Sequence, residues 1–114
     1  MGVKSAFELP WPARLEAGRD HLLHGRSWSA DGRVVRVDVS DDEGASWRPA
    51  RLWDDGPPRG WVRWTVPWTP RSAGDHRLLA RAADETGAVQ PMRAAYNALG
   101  YRFDAVVRHP VVVT

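Results

Sequence analysis

Histidines, serines and paired carboxylates are the groups through which this chain could do chemistry, and their spacing leaves each without a partner. His21 and His24 lie three apart on a predicted strand, which sends them to opposite faces. His76 and His109 stand alone, so a zinc site would need ligands gathered from distant segments. Asp41-Asp42 and Asp54-Asp55 fall in turn-forming sequence, where neighbouring side chains diverge and make a poor acid–base pair. Ser5, Ser27, Ser29, Ser40, Ser46 and Ser72 all lack a Gly-x-Ser-x-Gly setting, and no glycine-rich phosphate loop is present. The chain has no cysteine, which removes thiolate nucleophiles, thiolate metal ligands and disulfides together. An autonomous enzyme is the reading these residues favour least.

Two patterns remain. Ser40-Asp41-Asp42-Glu43-Gly44-Ala45-Ser46-Trp47 fits the Asp-box pattern, Ser-x-Asp-x-Gly-x-Ser-Trp. There an Asp accepts hydrogen bonds from nearby backbone N–H groups, Gly tolerates positive φ, and the Trp covers a rigid hairpin. The second pattern is seven tryptophans in 114 residues. Exposed rings could form a platform for sugars, but Trp61, Trp64 and Trp68 cannot all face one side of a strand. Core filling together with a subunit or domain interface accounts for them better.

The elements that would carry these residues read as short strands with frequent turn signals, the signature of a sandwich. Lys4–Phe7 is predicted as the first, and His21–Trp28 as the second, with Leu22, His24, Arg26 and Trp28 on one face and Leu23, Gly25 and Ser27 on the other. Arg33–Ser40 has Val35, Val37 and Val39 pointing one way, which predicts a half-buried strand. Trp47–Leu52 should return as its hairpin partner, followed by a loop at Asp54–Gly60 and strands at Trp61–Trp68 and Asp75–Ala83. A turn at Asp84–Gly87 leads to a long ordered connection from Gln90 to Asp104. Val106–Val113 closes the sheet, with Pro110 predicting an edge position or a bulge. The sum is one all-β, immunoglobulin-like domain of about seven strands over residues 1–114.

The formal net charge is only +2, with Arg interspersed among Asp and Glu along the chain rather than gathered in a run. Nucleic acid is therefore not the expected partner. No apolar run approaches the roughly 18–20 residues that would span a bilayer, and Met1–Glu8 has no signal-peptide core. The abrupt start into strand-like sequence reads as a fragment of a longer protein, with Met1 native or added.

The order of several segments is more specific than any one of them. These are Gly25-Arg26-Ser27-Trp28-Ser29, then Arg33–Ser40 with Gly44 and Trp47, then Leu79-Ala80-Arg81-Ala82 with Asp84 and Gly87. Gln90-Pro91, Tyr96-Asn97-Ala98-Leu99-Gly100-Tyr101 and Val106-Val107-Arg108-His109 follow. Together they resemble the C-terminal dimerisation domain of molybdenum-cofactor oxidoreductases of the sulfite oxidase family, over nearly the whole chain.

The resemblance implies an E-set immunoglobulin-like β-sandwich that is structural rather than catalytic. It implies two partners: a second copy in a homodimer, and an upstream domain that binds molybdopterin through a cysteine ligand. This chain has no cysteine and is expected to bind no cofactor and no metal itself. In sulfite-oxidising members the loop matching Asn97–Gly100 reaches the substrate pocket with an Arg just before the Gly. Here that residue is Leu99, and Tyr96 replaces the more usual Trp. Contact with the parent's active-site domain would involve Tyr96, Asn97, Leu99, Gly100, Tyr101 and Arg108, without a direct sulfite-binding Arg. Bacterial members are often exported or membrane-anchored, so periplasmic, extracytoplasmic and membrane-anchored parents all stay open. A stand-alone immunoglobulin-like binding module for carbohydrate is the alternative.

Overall fold

Trp64 needs room, and its neighbours supply it. It lies opposite Gly25 on the adjoining strand, and a Cβ at Gly25 would fall 2.1 Å from Trp64 Cζ2. Its indole Nε1–H donates to Ser27 Oγ at 2.9 Å, and Ser27 and Ser5 hydroxyls bond at 2.7 Å. Phe7 meets the ring edge-on, with centroids 5.2 Å apart. Leu23, Gly25, Ser27 and Ser29 thus form the inward face of their strand, small residues making space for one large ring.

These contacts come from a computed structural model that describes residues 3–30, 32–53, 61–92 and 106–114. Two sheets form a sandwich. One contains β1 (Val3–Phe7), β3 (His21–Ser29), β7 (Trp61–Trp68) and β6 (Arg51–Trp53), in that order. The other runs β2 (Ala13–Leu15), β9 (His109–Val113), β8 (Gly74–Asp84), β4 (Val34–Ser40) and β5 (Arg48–Pro49). The β2–β9 pair is parallel and the others are antiparallel. Between the sheets lie Leu23, Val37, Val39, Val62, Trp64, Val66, Trp68, Leu78, Val111 and Val113, all buried. Among the described residues there is no helix, so none is long and apolar enough to cross a membrane.

The all-β sandwich expected from alternation is present, with several local corrections. In β4 the register shifts between Val34 and Arg36. That bulge turns Val34 inward and leaves Val35 53% exposed, while Val37 and Val39 stay in the core. The predicted Trp47–Leu52 hairpin strand is split: β5 pairs with β4, and β6 crosses to pair with β7 in the other sheet. Ala50 marks the crossing, its N–H donating to Val37 O at 2.8 Å. The last strand begins at His109 rather than Val106 and is internal, between β2 and β8. Pro110 is accommodated because β2 pairs only from Val111 onward. β2 itself, three residues long, carries too short a pattern to be read from sequence.

Candidate functional site

The Asp-box hairpin is built from its own hydrogen bonds. Ser46 N–H donates to Asp42 Oδ1 at 2.9 Å, and the Ser46 hydroxyl donates to Asp42 Oδ2. Ser40 Oγ donates to Asp42 Oδ1 at 2.7 Å and accepts from Gly44 N–H at 2.9 Å. Glu43 and Gly44 have φ of 59° and 85°, the left-handed pair that turns the chain. Those donors, Ser46 first and Ser40 after it, pull the Asp42 carboxyl down to about 2.

A folded-state pKa below the ordinary value of 3.8 means the folded chain prefers ionised Asp42. Its stabilisation is complete above that value and is lost as pH falls toward about 2. Urea midpoints should therefore hold steady down to about pH 5 and fall steeply below about pH 4. Asp42→Ala should flatten that fall, and an unchanged acid slope in the variant would remove Asp42 from the account. Asp84 adds to the same slope. It is buried, and hydrogen bonds from Ser29 Oγ (2.6 Å) and Thr86 lower its pKa.

The hairpin also covers the outer side of the five-stranded sheet. Arg77, Leu79, Arg81 and Ala83 alternate on the face of β8 away from the core, yet Leu79 is 0% exposed. Glu43 receives Arg77 at 3.5 Å, and Trp47 lies under the Arg81 guanidinium at 4.0 Å. The next segment folds back beside β8 in the plane of the sheet, beyond the end of β9, with Gln90 N–H donating to Ala82 O at 2.9 Å and Val89 bridging Ala83. Val106 N–H bonds Pro91 O at 2.8 Å, which joins the described segments on either side of residues 93–105.

Among the described residues, none lies across the outer side of the four-stranded sheet, where Leu22, Trp53 and Trp61 are exposed. Cross-strand register places Lys4, Trp28 and Trp61 in one row, and Ala6, Arg26, Arg63 and Trp53 in the next. Glu8, His24, Thr65 and Arg51 make a third row, with the Glu8 N–H bonded to His24 O at 2.8 Å. Arg26 sits 5.0 Å from the Trp61 ring and Arg51 3.9 Å from Trp53, whose Nε1–H donates to Thr65 Oγ1 at 2.9 Å. Trp61 remains 42% exposed and Leu22 58%. Arginines that alternate harmlessly along the chain are thus collected on one face. The signal was present as three i, i+2 pairs, Arg26/Trp28, Arg51/Trp53 and Trp61/Arg63, whose convergence depends on strand order.

Of the residues predicted to touch a neighbouring active-site domain, Arg108 is described. Its Nε–H donates to Glu43 Oε2 at 2.7 Å, and that bond is the main cause of the lowered Glu43 pKa. Arg108 therefore ties the returning chain to the Asp-box turn. Tyr96, Asn97, Leu99, Gly100 and Tyr101 lie outside the described residues, as does most of the predicted Gln90–Asp104 connection. His21 and His24 take opposite faces of β3 as expected. His109 is buried, donating Nε2–H to Pro10 O at 2.8 Å. Among the described residues no three His, Asp or Glu side chains converge for a metal. Without any thiol, the donor set does not fit a thiolate-held molybdenum cofactor. As for sugars, Trp64 and Trp68 are core, and Arg26 and Arg51 already lie over the Trp61 and Trp53 rings.

The sequence model of the Mo-co oxidoreductase dimerisation domain matches residues 1–113. A mitochondrial sulfite oxidase from Drosophila melanogaster is 41% identical over 104 residues, covering 80% of this chain and 18% of that protein. The NADH nitrate reductase of Volvox carteri is 29% identical over 126 residues, covering 98% of this chain and 15% of its own length. Among solved structures, the sulfane dehydrogenase SoxCD of Paracoccus pantotrophus superposes with a TM-score of 0.75 at 28% identity, over 100% of this chain and 33% of that one. Fibronectin(III)-like modules of Clostridium thermocellum CbhA share the fold alone, at TM-score 0.55 and 19% identity. The chain spans no more than a fifth of the length of these curated relatives and a third of the SoxCD chain.

Proposed function

Since this chain belongs to the Mo-co oxidoreductase dimerisation domain family, we propose that it serves as the self-pairing, non-catalytic module of a larger molybdenum-dependent oxidoreductase. The observation that carries this is the family match along residues 1–113. The lack of any cysteine is consistent with it, because the cofactor's thiolate must then come from another domain. The parent's upstream domain would hold molybdopterin and do the redox chemistry, while this domain supplies rigidity and a contact surface.

Contact with that upstream domain is proposed for Tyr96, Asn97, Leu99, Gly100, Tyr101 and Arg108. The support is the base of this segment. Its ends meet at Pro91 and Val106, and Arg108 is fixed to Glu43 of the rigid hairpin. Ends held in place in this way restrict where the segment between them can reach, which lowers the cost of docking. Leu99 offers no charge to an oxyanion, so the parent's substrate need not be sulfite.

The test is the size and molybdenum content of the native protein, captured from source-cell extract with an antibody to this domain. A polypeptide well above 12.8 kDa with bound molybdenum is the expected result. A metal-free species of 12.8 kDa would overturn the proposal.

A further inference from the structure

A module that pairs with its own copy needs an exposed surface with apolar anchors, and among the described residues the outer side of the four-stranded sheet offers exposed Leu22, Trp53 and Trp61. The outer side of the five-stranded sheet is partly covered along β8 by the Asp-box turn, with Glu43 beside Arg77 and Trp47 stacked on Arg81. The outer side of the four-stranded sheet presents Trp28, Trp53, Trp61 and Leu22 with Arg26, Arg51 and Arg63. Trp and Arg are the residues most enriched among those that dominate interface energies.

Resting on the self-pairing reading above, we infer that this face is the dimer interface, with a two-fold axis running parallel to the strands between β3 and β7. An isologous contact must be complementary to itself under its axis. This axis lays β1 over the partner's β6 and β3 over the partner's β7. Row by row, Glu8 then opposes the partner's Arg51, and Ala6 opposes the partner's Trp53, a small side chain against a large one. Trp28 meets the partner's Trp61. Glu8 is the one carboxylate of these rows among the described residues, and the axis sets it against a cation twice. Arg26 is left opposite the partner's Arg63, a like-charge contact. Among the described residues Lys4, Arg26, Arg51 and Arg63 outnumber Glu8 on each face, so these groups repel their copies at long range. Salt screens that repulsion, so self-association should tighten as ionic strength rises. An acidic partner on the same face would show the opposite salt dependence.

The experiment is sedimentation equilibrium of the full chain and of Glu8→Arg, Arg51→Glu and the double variant, each checked for fold by circular dichroism. All these positions are exposed. Each single reversal should weaken the dimer at least about tenfold, and the double should recover to within about threefold, because the swapped charges still meet. Wild-type association should strengthen between about 50 and 300 mM salt. A wild-type chain that stays monomeric at every concentration would overturn the self-pairing reading and this surface with it. A dimer indifferent to both single reversals would overturn the surface alone. Singles that weaken without rescue in the double would overturn the axis. A face that gives complexes only with added polyglutamate or a duplex oligonucleotide would belong to a polyanion instead, also against the proposal.

Discussion

Trp64→Ala lowers the free energy of unfolding by about 3–5 kcal/mol, measured by urea denaturation. The ring is 0% exposed and sits between the sheets, so its removal leaves a cavity that the flanking strands cannot fill. β3 has already been reduced to glycine and serine opposite it. Phe7 loses its edge-on partner, and the Ser27 hydroxyl loses an indole donor. The near-ultraviolet dichroism of the folded protein should lose its sharpest band, since this is the most enclosed of the tryptophans. A cost below about 1 kcal/mol would mean that the sandwich is not built around this ring.

Gly25→Ala is expected to cost nearly as much by the opposite route, about 3 kcal/mol of overpacking. The added methyl would lie 2.1, 2.4 and 2.6 Å from three ring carbons of Trp64. A rigid indole cannot swing aside as a flexible side chain would, and its Nε1–H is held by Ser27. The two effects are therefore coupled. On a Trp64→Ala background the same alanine enters an empty space, and its cost should fall by about 1–3 kcal/mol. Equal costs on both backgrounds would show that Gly25 is required for its backbone rather than for the room it leaves.

That pair shows where sequence reasoning works and where it stops. Alternation in β7 set Val62, Trp64 and Val66 on one side of the strand, which is the buried side. The pattern of β3 did not announce its inward face, because that face holds Gly25, Ser27 and Ser29 while Leu22 and Trp28 point outward. A core face on which Leu23 is followed by Gly25, Ser27 and Ser29 makes sense only beside the tryptophan that fills the space they leave. The valines of β4 misled in a related way. Strict period two required Val35, Val37 and Val39 to share a face, and one bulge exchanged Val35 for Val34. The Asp-box was legible in full, since its hydrogen bonds join residues within four positions of one another. The Arg–Trp face was not, although each of its i, i+2 pairs can be read on its strand.

Three things were therefore fixed by the order of residues alone: the all-β class, the absence of any thiol chemistry, and the rigid hairpin at Ser40–Trp47. Each rests on local periodicity, composition or short-range bonding. The tertiary structure decided which strands are neighbours, that Ala50 carries the chain from one sheet to the other, and that Arg26, Arg51 and Arg63 meet beside Trp53 and Trp61. The physical reason is that period two tells a side chain which side of its strand to take, but not which strand lies next to it. That choice is made by packing between residues far apart in the chain, as Gly25 and Trp64 make it here.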